Sequence, residues 1–322
     1  MHRQMTGRLI MSGGLLLILS ACERKAAPIV PTVAIFNLLS HPILDQSVAG
    51  IKAGLARSGF ADSLVHIVDV NANGEMDKIP AFARSLLASA PDVIVPVSTP
   101  VTQAVAKAAS ANQQIVFSTV TNPADVGMAG SPPNMTGVSD AVNYEANIAL
   151  ILELFPATKT IGMVYNPGEA NSVYGIQQVQ QIATGRGLTL RLATVSKSDE
   201  VAQATRTLAP KVDCFYVGSD NTVVSALAGL VKVALETRRP VIASDQGSVA
   251  EGALAAVSVD YTALGERVGE IVAEILRNKK KAGSIPHVRF LGNKLILNAK
   301  AATSMHFVFP DSTRARAAQV LQ

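Results

Sequence analysis

Six turns hold most of the side chains in this 322-residue sequence that could bind or react. They read "LSHPILD" (39–45), "STPVTQ" (98–103), "STVTNPAD" (118–125), "YNPGEANS" (165–172), "GSDNTVVS" (218–225) and "SDQGSVAEG" (244–252). Hydroxyls dominate the earlier turns, which supply Ser98, Thr99, Ser118, Thr119 and Thr121. Acids and amides dominate the later ones, with Asn166, Glu169, Asn171, Ser172, Asp220, Asn221 and Asp245. Hydroxyls facing acids and amides can clamp a small zwitterion: helix N-termini hold its carboxylate and an acid holds its ammonium. That division of roles between the two sets follows from charge alone. Tyr165 closes one apolar run and Tyr261 follows another, so both are placed to approach a ligand.

Each turn also has a plainer explanation. With Thr99 as N-cap, Pro100 falls at the first helical position, where its missing N–H costs nothing. Asp220 or Asn221 before "TVVSAL", and Asn171 or Ser172 before "VYGIQQ", can cap helices in the same way. Ser98 as a nucleophile finds no support. The chain carries no G-x-S-x-G, no H-E-x-x-H, no G-x-x-x-x-G-K-[ST] and no G-x-G-x-x-G after a strand. His41, His66, His287 and His306 are scattered without metal-ligand spacing. No enzyme, cofactor or metal is expected.

The elements that position these turns follow a repeated pattern of short β-branched apolar runs and helix-length segments. The runs are 32–38, 64–70, 92–97 and 114–119, then 160–166, 188–195, 212–218, 240–244 and 254–260. Near-continuous apolar strands alternating with helices indicate an α/β fold with parallel sheets covered on both faces. Ligands of such sheets bind outside the carboxyl ends of the strands, where the six turns lie. The series restarts near residue 140, after the turn-rich "PPNMTGVSDAVNYE" (132–145), so two lobes are expected rather than one wide sheet. One lobe takes 32–140 plus about 262–291 and the other 141–261 plus about 292–310. Hinges are expected at 138–143 and near Val259-Asp260-Tyr261.

Composition narrows the class. Hydrophobic residues make up 48% and charged residues 16%, enough apolar material for a large core. The first 21 residues, with Arg3, Arg8 and an apolar run from Leu9 to Leu19, have the form of a secretory signal, and the run is too short to span a bilayer. Leu19-Ser20-Ala21-Cys22 resembles a bacterial lipobox, which makes Cys22 the acylated first residue, and 22–31 read as a tether. An ordinary signal peptide or an uncleaved anchor is the alternative. Removing the signal lowers the net charge from +4 by two arginines, a balance that predicts no nucleic-acid partner. Cys214, in the apolar "VDCFYVG", is then the one cysteine besides Cys22, so no internal disulfide is available.

Taken in order, "HPILD", "STPVTQA", "STVTNPADVG", "PPNMTGVSD", "IGMVYNPGEANS", "VGSDNTVVSAL" and "DQGSVAEGALAAVSVDYTALG" resemble the ABC-transporter substrate-binding proteins of the tryptophan/tyrosine type, from about residue 32 to 310. The resemblance implies a type I periplasmic binding protein: two Rossmann-like lobes joined by a hinge that close on a small amino-acid-like solute. It also implies an exported, membrane-anchored, monomeric lipoprotein serving a permease and ATPase complex. An envelope sensor presenting its closed form to a receptor, or a hydrolase on the same scaffold, are the alternatives. "SPPNMTGVSD" and Asn122 in "TVTNPAD" depart from the family's usual turns and remove one acid near the cleft.

Overall fold

A computed structural model describes residues 30–61 and 63–322, together with His2. The signal segment, Cys22 and most of the tether lie outside the described residues, apart from His2. The chain builds two sheets. β1 (Thr32–Asn37), β2 (His66–Asn71), β3 (Val93–Val97), β4 (Gln114–Ser118) and β5 (Met135–Ala141) form the first, in the order 2-1-3-4-5 and all parallel. Between them run α1 (Pro42–Arg57), α2 (Ile79–Ala88) and α3 (Thr99–Ala108).

The second sheet takes β6 (Thr160–Tyr165), β7 (Thr189–Thr194), β8 (Cys214–Val217), β9 (Val241–Ala243) and β10 (Ala255–Ser258), in the order 7-6-8-9-10. Its helices include α4 (Tyr144–Leu154), α5 (Ala170–Gly185), α6 (Val201–Leu208), α7 (Asn221–Val224), α8 (Leu227–Glu236) and α9 (Gln246–Ala250). The chain then returns to the first lobe as α10 (Tyr261–Asn278) and β11 (Val288–Leu291), which pairs in parallel with β5. It ends in the second as β12 (Lys294–Asn298), α11 (Ala299–Ser304), α12 (Asp311–Arg316) and β13 (Gln319–Leu321). β12 runs antiparallel to β10, and β13 parallel to β12. The sequence reading stops this lobe at 310, whereas pairing with β12 carries it to Leu321.

α10 lies on α1 with almost no space between the backbones. A Cβ on Gly265 would approach the Gly50 Cα to 3.0 Å, and one on Gly269 the Leu55 nitrogen to 2.7 Å. Glycines at Gly50, Gly54, Gly265 and Gly269 are what let the two helices meet. Burial on α10 follows the helical period through Leu264, Val268, Ile271, Val272 and Ile275.

The turn-rich stretch 132–145, which includes the expected hinge at 138–143, contains β5, every residue of which is buried. Its polar and small residues fit because Phe117 of β4 fills the neighbouring space: a Cβ on Gly137 would lie 2.5 Å from the Phe117 ring. The strand's polar tail carries Asp140 to the sheet's carboxyl end.

Candidate ligand-binding cleft

The carboxyl ends of the two sheets enclose a narrow cleft of about 40 Å³. Of the thirteen residues singled out from sequence as ligand contacts, eight line it: Ser98, Thr99, Thr119, Thr121, Asn171, Asp220, Asn221 and Asp245. Ser118, Tyr165, Asn166, Glu169 and Ser172 do not. Their places in the fold explain why.

On the first lobe the helix begins one residue earlier than expected. α3 starts at Thr99, so Ser98 is the N-cap and Pro100 the second helical residue, a tolerated first-turn position. Ser98 adopts φ 92° and ψ 159°, a region nearly confined to glycine, and Thr119 is left-handed at φ 56°. Two strained residues at one cleft wall mark it as a built surface. The Ser98 amide donates to the Ser118 carbonyl at 3.0 Å. Its hydroxyl makes no capping bond and is buried without a partner. Ser118 points the other way, its hydroxyl 2.8 Å from that of Ser47, joining β4 to α1.

On the second lobe an acid buried beneath the cleft arranges the rim. The Glu169 carboxylate accepts five hydrogen bonds, from Asn171 Nδ2, the amide and side chain of Asn221, and the amide and hydroxyl of Thr222. It is therefore consumed in holding the start of α7. Asp220 caps the same helix, with Oδ1 accepting from the Val223 amide at 2.8 Å. Its Oδ2 accepts from the Ser172 hydroxyl and the Asn166 amide. Asn166 and Ser172 thus serve Asp220, and Tyr165 ends β6 paired with β7. Neither Asn171 nor Ser172 caps α5, because the helix begins at Ala170. Asn171 instead turns its Oδ1 inward, buried and unpartnered.

Tyr261, expected to approach a ligand, lines the cleft; sequence reasoning missed Asp140, His41, Ser219 and Ser244 as contacts, and the first is the most consequential. Asp140 is buried at the tip of β5, with Oδ2 accepting from the Tyr261 hydroxyl at 3.2 Å and Oδ1 unpartnered. Burial pushes its carboxyl up to about 7 against the hydrogen bond from Tyr261, and Asp245 across the cleft adds a smaller push. Asp220 is likewise raised to about 7, first by burial and then by Glu169. The expected split of hydroxyls on one lobe and acids on the other does not hold, since Asp140 brings an acid to the hydroxyl side. Three aspartates and no Lys or Arg line the cleft, with Leu39, Ile43, Leu44 and Val224 supplying apolar wall. Such a lining favours a cationic group beside the acids and an apolar body against the aliphatic side chains.

The lobes also touch at the cleft edge. His41 Nε2 lies 3.7 Å from Glu251 Oε1, too far for a hydrogen bond. A Cβ on Gly247 would fall 2.9 Å from His41 Cε1 and 3.2 Å from Ile43 Cγ2. Among the described residues no group of acidic, His or Cys side chains could hold a metal, and no helix is long and apolar enough to cross a membrane.

Two parallel α/β lobes with a polar, acid-lined cleft between them define a bilobal binding protein. The chain belongs to the ABC transporter substrate binding protein family, whose model matches residues 32–321. That family consists of substrate-binding proteins rather than enzymes. A tyrosine-binding protein of Clostridioides difficile is 33% identical over 271 residues, 83% of this chain and 78% of that one. The structure of an ABC domain in complex with L-Trp, from Streptococcus pneumonia, superposes with a TM-score of 0.86 at 29% identity, covering 90% of this chain and 99% of that one. The ligand-free, open structure of a substrate binding protein with adhesive properties, from Clostridium difficile, gives 0.68 at 29% identity, covering 91% of this chain and all of that one.

Proposed function

We propose that this protein is the solute-binding component of an ABC importer, exported, anchored through lipid on Cys22, and serving a permease and ATPase complex. Its ligand is a small amino-acid-like solute, with aromatic amino acids the first candidates, as the tyrosine- and L-Trp-binding relatives suggest. One observation carries the reading. Ser98 Oγ, Asp140 Oδ1 and Asn171 Oδ1 are buried, unpartnered and contributed by residues of both lobes that line a single cleft. Buried polar atoms are normally hydrogen-bonded, so three converging on one space call for a polar guest.

In this reading the ammonium sits beside Asp140, and the carboxylate meets the Ser98 turn and the free amides of α3. Asp220 caps α7, and Asp245 caps α9 by accepting from the Ser248 amide and hydroxyl, so both shape the wall. The whole chain superposes better on the L-Trp complex than on the ligand-free open structure, at equal sequence identity. That similarity supports capture by closure, in which lobe contact removes water from the bound solute.

Thermal unfolding with added solutes tests the reading. L-tyrosine or L-tryptophan at a hundredfold excess over Kd is expected to stabilise the protein by about 2.7 kcal/mol. No shift with any amino acid, alongside a clear shift with a sugar, would overturn it. Closure itself is checked at Gly247. Gly247→Val places a side chain against His41 and Ile43 of the other lobe and against the Asp245 carboxylate of its own, and is expected to weaken amino-acid binding at least tenfold in calorimetry. Unaltered affinity would show that the lobes do not meet there in the bound state.

A further inference from the structure

A second cavity, of about 240 Å³, lies wholly within the second lobe, between the end of α8, the turn after α9 and α11. It shares no lining residue with the cleft. Val231, Ala234, Leu254 and Met305 make its wall apolar, and Arg239, Lys300 and Glu251 bring charge to it. Among the described residues, neither the Arg239 nor the Lys300 side chain takes part in an ion pair or a hydrogen bond, and Arg239 Nε is buried without a partner. Glu251 is directed toward His41 of the other lobe.

A guanidinium part-buried against an apolar cavity is costly unless an anion meets it. Arginine's planar fork matches a carboxylate in geometry as well as charge. Size sets the rest of the guest. A dry apolar cavity of about 150 Å³ admits benzene, so the larger space here has room for a ring or short alkyl chain together with its head group.

We propose that this cavity is a second ligand site, taking a small monoanion with an apolar body, an aryl or alkyl carboxylate whose head group pairs with Arg239. Lys300 adds a longer-range attraction at the rim, and Met305 adapts to the shape of the body. The site stands independently of what the cleft binds.

Titration of the purified protein with phenylacetate tests this, followed by calorimetry and by the Met305 methyl resonance in protein carrying 13C-methyl methionine. The expected result is a saturable shift of Met305 with one-to-one stoichiometry. Arg239→Gln should weaken binding at least tenfold, and Lys300→Gln about two- to threefold. 2-Phenylethanol, which keeps the ring and lacks the charge, should bind at least tenfold more weakly than phenylacetate. The proposal is overturned if the Met305 shift does not saturate, if Arg239→Gln binds as wild type, or if the alcohol binds equally well. Should Arg239→Gln fail to fold, the alcohol comparison and Lys300→Gln decide in its place.

Discussion

Asp140→Asn is expected to leave the protein folded and to weaken amino-acid binding by about tenfold to a hundredfold, the worth of a hydrogen bond to a charged group. The two effects separate because burial already disfavours charge on this side chain, holding its carboxyl at about 7. Asparagine resembles the protonated form, so at pH 8 the variant should be as stable as wild type or more so. A variant that melts well below wild type would make Asp140 a structural group. The pH dependence has opposite signs for folding and binding. Between the ordinary carboxyl value and about 7 the folded protein holds a proton that the unfolded chain has lost. This stabilisation is therefore full below about 4, declines as pH rises, and is gone above about 7. Asp220, raised for the same reason, adds to the same window. Binding of an ammonium requires the ionised form, so affinity should fall roughly tenfold per unit as pH drops below 7. Calorimetric titrations at pH 5, 6, 7 and 8 check this, and Asp140→Asn should flatten the profile.

Glu169→Ala carries the largest expected cost in stability, about 3–5 kcal/mol. Five donors lose their acceptor at once, among them the amides of Asn221 and Thr222 at the start of α7. In a chain of this size the loss should lower the melting temperature by about 5–8 °C. Glu169→Gln keeps one acceptor oxygen and should lose less. By removing the charge beside Asp220, it should also bring that carboxyl back down. A Glu169→Ala melt within a degree or two of wild type would mean that α7 holds its place without this acid.

Strands announced themselves in the sequence wherever burial on both faces was achieved with apolar residues, as in Val93–Val97 and Gln114–Ser118. β5 did not, because its burial is shared with Phe117 and uses Thr136, Gly137, Ser139 and Asp140. The same concealment hid Asp140 from the list of contacts. A signal existed: "TGVSD" ends on an acid inside an expected hinge. The turn residues were legible as a set because parallel sheets present their carboxyl ends together. Which of them face inward was not. Glu169 and Asp220 look alike as acids in polar turns, but Asp220 caps α7 locally through Val223, whereas Glu169 reaches Asn221 and Thr222 some fifty positions away. Ser98 shows a limit of a different kind. The sequence suggests Thr99 as the cap, whereas the N-cap is Ser98, held at positive φ with its hydroxyl making no capping bond.

The close seat of α10 on α1 governs the order in which the protein can be completed. Arg57 and Glu266, which pair across these helices, are 209 positions apart. A growing chain that ends at residue 260 already contains β1 to β5 yet lacks both the helix that covers α1 and the edge strand β11. The central strands of the second lobe, β6 to β10, are by contrast contiguous in sequence. Contacts of such long range slow folding, since the loop entropy must be lost before they form. The half of the molecule that is made first is thus still incomplete when β6 to β10 of the other half have been made, and its glycine-lined face on α1 stays open to other partners until α10 arrives.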